Sequence, residues 1–267
     1  MSMSLGFIGG KKPDQTETAA ALARECGYEA LEFDYWRDFE SLTDEAINGQ
    51  ARALQKHGIG VSAYGLWGYN HIAADEAERA HAHAMLERAI GYARTLGART
   101  MVLSTGDLRG EPFGRKLDIF LETMMPFLER IEAAGMIPTF YALHGNTMFA
   151  SLEAYERAWE RLPGLKMKFD AANWLAAGAD YLEVLRRYGH KIGHVHIKEA
   201  IFKDNRTVSQ PPAGMGDMPW GRIMTFLHEH EYDGCLSLEP HMEPWKSGDG
   251  LKKNLVLSKR HIDQFLL

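Results

Sequence analysis

Cysteine is nearly absent. Cys26 and Cys235 are the only two in 267 residues, so no disulfide framework carries the fold, and both read as small core residues in a reduced setting. The N-terminal stretch lacks the basic segment and long apolar run of a secretion signal, and no window reaches the roughly 18 consecutive apolar residues of a membrane span. The expectation is a soluble, cytoplasmic protein with no membrane partner. Excess positive charge is missing as well: 30 Lys and Arg stand against 36 Asp and Glu, a formal charge of −6. That leaves no basic footprint for a phosphate backbone and argues against nucleic acid as a partner. No Gly-rich dinucleotide fingerprint follows the first apolar run, and no linker or low-complexity break divides the chain.

What is present is a repeated alternation. Strand-like runs at 5–8, 28–33, 59–64, 100–104, 137–143, 165–169, 192–197 and 234–238 alternate with helical stretches at 14–26, 42–57, 75–96, 115–134, 152–161, 181–188, 220–230 and 251–265. Thr16 or Thr18 is expected to cap the first helix, and Gly27, Gly58 and Gly135 stop three of them. With 45% apolar residues for a core, this pattern predicts an α/β fold, one (β/α)8 TIM barrel over 1–267. A doubly wound open sheet is the runner-up. His81 and His83, two apart within the third helical stretch, do not share a helical face and are expected at the surface.

Four segments in the second half end apolar runs with polar side chains: Phe140–Asn146, Phe169–Trp174, His194–Glu199 and Leu236–His241. In a parallel barrel these are the carboxyl ends of strands five to eight, where active sites lie. Asp170, His196 and Glu239 would come within reach of one ion, two carboxylates and an imidazole suited to Mn2+, Mg2+, Co2+ or Zn2+. Strand alternation puts Ala142 with His144, His194 with His196 and Lys198, and Ser237 with Glu239 on inward faces. The same parity turns Lys168 inward beside Asp170, with no evident partner for its charge.

These segments, with Gly214-Met215-Gly216-Asp217 followed by Trp220, resemble the xylose isomerase-like barrel superfamily. Its sugar phosphate isomerase/epimerase group includes ketose 3-epimerases, hydroxypyruvate isomerase and inosose enzymes. The resemblance implies one divalent ion, Mn2+ in the first place, at the ends of strands five to eight, held by Asp170, His196, Glu239 and a further Glu near the end of strand five. This chain has Ala142 there, two residues before His144. Three explanations stay open: an altered catalytic Glu, natural use of His144 or water instead, or a catalytically silent sugar-binding relative. The implied chemistry is isomerisation or epimerisation of a sugar or sugar phosphate by proton transfer next to a carbonyl, through a metal-stabilised enediolate. Glu239 would be one proton-transfer group and position 142 or His144 the other. Lys198 and His241 are expected substrate contacts. Among rim aromatics, Trp67, Tyr69, Trp174 and Trp220, Trp67 and Trp174 are the chosen walls, and Gly110, Gly214 and Gly216 give two loops freedom to close. An alternative on the same site is elimination from keto-inositols or 3-oxo-glycosides. Relatives of this kind imply a homodimer or homotetramer. The more distant endonucleases resemble three-metal clusters with extra ligands on strands three and four, where this chain has Ala63-Tyr64-Gly65 and Leu103-Ser104-Thr105.

Overall fold

A computed structural model describes residues 3–141, 146–204 and 206–266. Eight parallel strands close into a barrel: β1 (Ser4–Ile8), β2 (Ala30–Tyr35), β3 (Gly60–Leu66), β4 (Ala98–Leu103), β5 (Ile137–Phe140), β6 (Lys166–Asp170), β7 (Ile192–Ile197) and, after a hairpin of β8 (Ile201–Lys203) and β9 (Arg206–Ser209), β10 (Cys235–Leu238). Around the ring the order is β1-β10-β7-β6-β5-β4-β3-β2. The connecting helices are α1 (Pro13–Cys26), α2 (Asp44–His57), α3 (Glu76–Thr95), α4 (Phe113–Ala133), α5 (Leu152–Trp159), the short α6 (Ala171–Ala176), α7 (Tyr181–Tyr188), α8 (Trp220–Glu229) and α9 (Gly248–Ile262). The expected (β/α)8 TIM barrel is thus the observed fold, and no helix among the described residues is long and apolar enough to cross a membrane.

Local chemistry sets the helix boundaries. Thr43, Asp75, Ser151 and Asp180 accept hydrogen bonds from backbone N–H groups of the first turns they precede, which satisfies donors that the helix leaves open. Gly27 and Gly58 end α1 and α2 in the left-handed conformation. Neither Thr16 nor Thr18 caps α1. The helix starts at Pro13, whose missing N–H costs nothing in the first turn, and the Thr16 hydroxyl donates instead to the Gly10 carbonyl at 2.7 Å. His81 is exposed, as expected, but His83 is half-buried, its Nε2 3.0 Å from the His71 carbonyl and its ring 4.8 Å from that of Phe127. The expected fifth strand, 137–143, is described only to Phe140; Ala142 and His144 lie outside the described residues.

Register brings the chemistry together. Asp170 on β6 pairs with His196 on β7, and His196 pairs with Ser237 on β10. Glu239 extends that ladder, donating its N–H to the Ile197 carbonyl at 3.0 Å. Because side chains alternate along a strand, residues at i and i+2 share the inner face. Ser237 shows the consequence: its hydroxyl meets that of Ser62 across the barrel at 3.0 Å.

Candidate active site at the barrel mouth

Asp170, His196 and Glu239 converge at the carboxyl ends of β6, β7 and β10, with one ligand-type atom from each within 4.8 Å of the others. Asp170 also caps α6: its Oδ1 accepts from the Asn173 backbone N–H at 3.0 Å, and its Oδ2 from the Asn173 side-chain amide at 2.7 Å. That fixes the carboxylate. His196 Nδ1 and Glu239 Oε2 lie 3.2 Å apart. Both are buried and neither has an aligned hydrogen-bond partner among the described residues. Lys198 Nζ lies 2.7 Å from the same Oε2, and once its Nδ1 proton is lost His196 would present a lone pair beside that carboxylate, as adjacent ligands of one cation do. The donor set therefore fits a divalent ion.

The orientation of His196 comes from a residue outside the second-half segments. Glu32, on β2, is fully buried; its Oε1 lies 2.9 Å from His196 Nε2 and its Oε2 2.7 Å from His194 Nε2. A carboxylate behind a ligating imidazole selects the tautomer and stiffens the ring. Burial opposes the charge on Glu32, yet His196 and His194 hold it well below the usual carboxylate range. Burial likewise works against a charged His196, but Glu32 and then Glu239 raise it to about 9, while for His194 burial prevails and lowers it. Glu32, His194 and His196 form a second cluster of ligand-type groups. Each Glu32 oxygen is already committed to an imidazole N–H, so the cluster works as support for the mouth.

Lys198 stands beside the same centre. Its Nζ is 2.7 Å from Glu239 Oε2, 3.5 Å from Asp170 Oδ2 and 3.3 Å from Asn173 Oδ1. Burial disfavours its charge, but Asp170 and Glu239 more than compensate and raise it. The ammonium, expected as a substrate contact, is thus engaged with the carboxylates. His241 is half-exposed and its Nε2 lies 3.0 Å from Glu239 Oε1.

A pocket opens above, lined by Asp34, Trp36, Trp67, Tyr141, Lys168 and Glu239, with His241 at its edge. Trp67 lines it as expected. Trp174 is 1% exposed and packs below the rim, Trp220 and Tyr69 are buried, and none of the three is a lining residue. Trp36, Tyr141, Asp34 and Glu32 were not singled out in the sequence. The signal was there for the acids: Glu32 and Asp34 alternate on one face of an otherwise apolar strand, a pattern that costs free energy unless those carboxylates have work inside.

Asp34 accepts the Trp67 indole N–H at 3.1 Å. Gly65 makes this approach possible, since a Cβ there would collide with the Asp34 carboxylate. Burial, then repulsion from Glu32, pushes the Asp34 carboxyl up to about 6 from 3.8, against the pull of Lys168. A folded value above the unfolded one means that stability from this group is fully present below pH 3.8 and is lost as pH rises through about 6. The Trp67 emission, taken as wild type minus Asp34→Asn, is expected to titrate with a midpoint of about 6. A difference signal flat across that range would contradict the assignment.

The 200–218 connection is tied down by one side chain. Glu199, buried, accepts from the backbone N–H groups of Ala200, Gly214 and Met218 at 3.0, 2.8 and 3.0 Å, and from the Trp220 indole at 2.9 Å. Gly216 passes so close that a Cβ would sit 2.6 Å from Glu199 Oε1. Gly214 and Gly216 therefore serve a tight anchored turn, and the loop freedom expected of them is not what they supply.

Residues 20–261 match the family model described as xylose isomerase-like TIM barrel. A putative L-ribulose-5-phosphate 3-epimerase of Escherichia coli K12 is 24% identical over 244 residues, covering 84% of this chain and 83% of its own. Among solved structures, an L-ribulose 3-epimerase superposes with a TM-score of 0.77 at 19% identity over 98% of this chain and 94% of that one. The IOLI protein with a bound zinc atom superposes with a TM-score of 0.75 at 15% identity over 98% and 97%. At these identities the structural likeness concerns the fold.

Proposed function

The chain belongs to the xylose isomerase-like TIM barrel family, and from that premise we propose that it is a divalent-metal-dependent sugar isomerase or epimerase acting on a ketose-type α-hydroxy carbonyl. The observation that carries the reading is the convergence of Asp170, His196 and Glu239, one ligand-type atom from each within 4.8 Å of the others, with His196 Nδ1 and Glu239 Oε2 buried side by side at 3.2 Å. The ion, Mn2+ in the first place, would supply Lewis acidity toward the substrate carbonyl oxygen.

The chain's own residues do the rest. Glu239 takes the proton from the carbon next to the carbonyl. Burial disfavours its charge, but His196 first, then His241 and Lys198, hold it well below the usual carboxylate range, so it is ionised and ready to accept. The same pull makes it a weak base, so the C–H bond has to be acidified by polarisation of the neighbouring carbonyl. His241, half-exposed against Glu239 Oε1, connects that carboxylate to solvent. At position 142, where the family resemblance implies the second proton-transfer group, this chain has Ala, which would leave return of the proton to His144 or to water. The aromatic faces of Trp67 and Tyr141 exclude water from one wall of the pocket.

The test compares the chain with Ala142→Glu, by metal analysis and by deuterium uptake from solvent into a panel of ketoses and keto-inositols. One divalent ion per chain is expected in both, with faster exchange in Ala142→Glu by about 100-fold, the scale of one positioned acid-base group. Absence of both ion and exchange in the two proteins would sink the reading. Loss of water from a keto-inositol would move it to the dehydratase alternative.

A further inference from the structure

Lys168 is 4% exposed, yet it lines the pocket. It stands over the ring of Tyr141 at 4.5 Å and that of Trp67 at 5.3 Å. Among the described residues no carboxylate comes within 4.0 Å of it, and it makes no hydrogen bond. Residues 142–145 and Asn205 bring no acidic side chain. Asp34 lines the same pocket and acts on Lys168 only at longer range. Buried charges are ordinarily paired, and ring faces offset only part of the lost hydration. The contrast with Lys198, which engages two carboxylates one strand away, is direct.

From this we infer that Lys168 binds a permanent anionic group of the substrate, and that the group is a carboxylate: the substrate is a sugar acid. The choice of carboxylate over phosphate follows from the lining. Among the described lining residues Lys168 is the one lysine or arginine, against the carboxylates Asp34 and Glu239, so a dianion would meet one ammonium and two repelling acids, whereas a monoanion is matched by Lys168. Phosphate sites usually gather several N–H donors, often at a helix N-terminus. Lys168 and Asp170 share the inner face of β6 two positions apart, about 6.6 Å along the strand. A carboxylate on Lys168 therefore lies a few carbons from the reacting centre. The aromatic pair leaves the ammonium few other ways to satisfy its hydrogen-bond donors than through the ligand.

The inference rests on the isomerase reading only for the location of the reacting carbons, and its test needs no turnover. Gluconate and glucitol, then glycerate and glycerol, are titrated calorimetrically into metal-stripped protein, so that no ion can capture the carboxylate. Each acid is expected to bind about tenfold or more tightly than its polyol. Lys168→Met should abolish that preference, and Lys168→Arg, which keeps the charge, should retain most of it. Equal affinity of acid and polyol for the wild type overturns the proposal whether or not the variants fold. A preference that survives in folded Lys168→Met overturns it too, by placing the anion elsewhere. Glycerol 3-phosphate is the control: if it binds through Lys168 more tightly than glycerate, the ligand is a phosphate and the sugar-acid assignment fails. Deuterium exchange into a neutral ketose with no acid preference would overturn the sugar acid and leave the isomerase standing.

Discussion

Glu239→Gln is expected to slow exchange of the substrate proton next to the carbonyl by about 10²- to 10⁴-fold, the range for loss of a positioned acid-base group. The substitution keeps the shape of the side chain and a carbonyl oxygen that can still face the ion, so metal binding should weaken far less than exchange. Two measurements separate the roles: deuterium uptake at saturating Mn2+, and a competition titration for the ion. A drop in exchange that saturating metal fully restores would mean that Glu239 is a ligand only. Exchange within a few-fold of wild type would remove it from proton transfer altogether. Its surroundings give the reason for the large effect, since Lys198 and His241 lie 2.7 and 3.0 Å from its two oxygens, while Asp34, the other carboxylate lining the pocket, is engaged by the Trp67 indole.

The second large effect is expected at Glu32, fully buried behind His196 and His194. Glu32→Gln leaves the buried, charged His196 without its counter-charge, a change that typically costs roughly 3–5 kcal/mol of stability. Loss of the carboxylate behind His196 should also weaken the metal by about 10- to 100-fold. The pH dependence is the more distinctive signature. In the ion-free protein Glu32 lies below its ordinary 4.5, so its contribution is present above pH 4.5 and is lost as pH falls below it. His196 is raised from 6.5 to about 9, so its contribution is present below pH 6.5 and fades as pH rises toward 9. The pair together stabilises most between pH 4.5 and 6.5. Chemical denaturation across pH should show that maximum in the wild type and a flatter profile in Glu32→Gln; parallel profiles would show that the pair is not coupled to folding.

How far the sequence reached is clearest in the strands. The seventh strand, expected at 192–197, is found as Ile192–Ile197, and its inward set of His194, His196 and Lys198 follows from a period of two that needs no tertiary knowledge. The union of Asp170, His196 and Glu239 was legible for the same reason: consecutive strands of a parallel barrel are neighbours, so chain order gives spatial order. Glu32 was not legible as their support, because its partners lie 162 and 164 positions away across the barrel interior, and pairing across an interior depends on register. The hairpin of β8 and β9 escaped because both strands are short and largely exposed, without an apolar alternation to mark them. Lys168 was visible as an inward charge; its aromatic surroundings come from Trp67 and Tyr141, on two other loops. His83 reads as a surface residue because its helix is rich in Ala and Glu, and the packing of the His71 loop and of Phe127 half-buries it.

Glu199 gives the mouth a modular character. One carboxylate next to the strand that carries His196 gathers four N–H groups at the base of the 200–218 connection, while the hairpin at its tip projects outward, mostly exposed. The base is a fixed socket and the tip an exchangeable cassette. Insertions, deletions or grafts within 201–209 should be absorbed with little disturbance to Asp170, His196 and Glu239, whereas any swap that omits Glu199 or Gly214 would unseat the whole segment. Within this barrel, the hairpin tip can therefore diversify without disturbing the base that Glu199 holds.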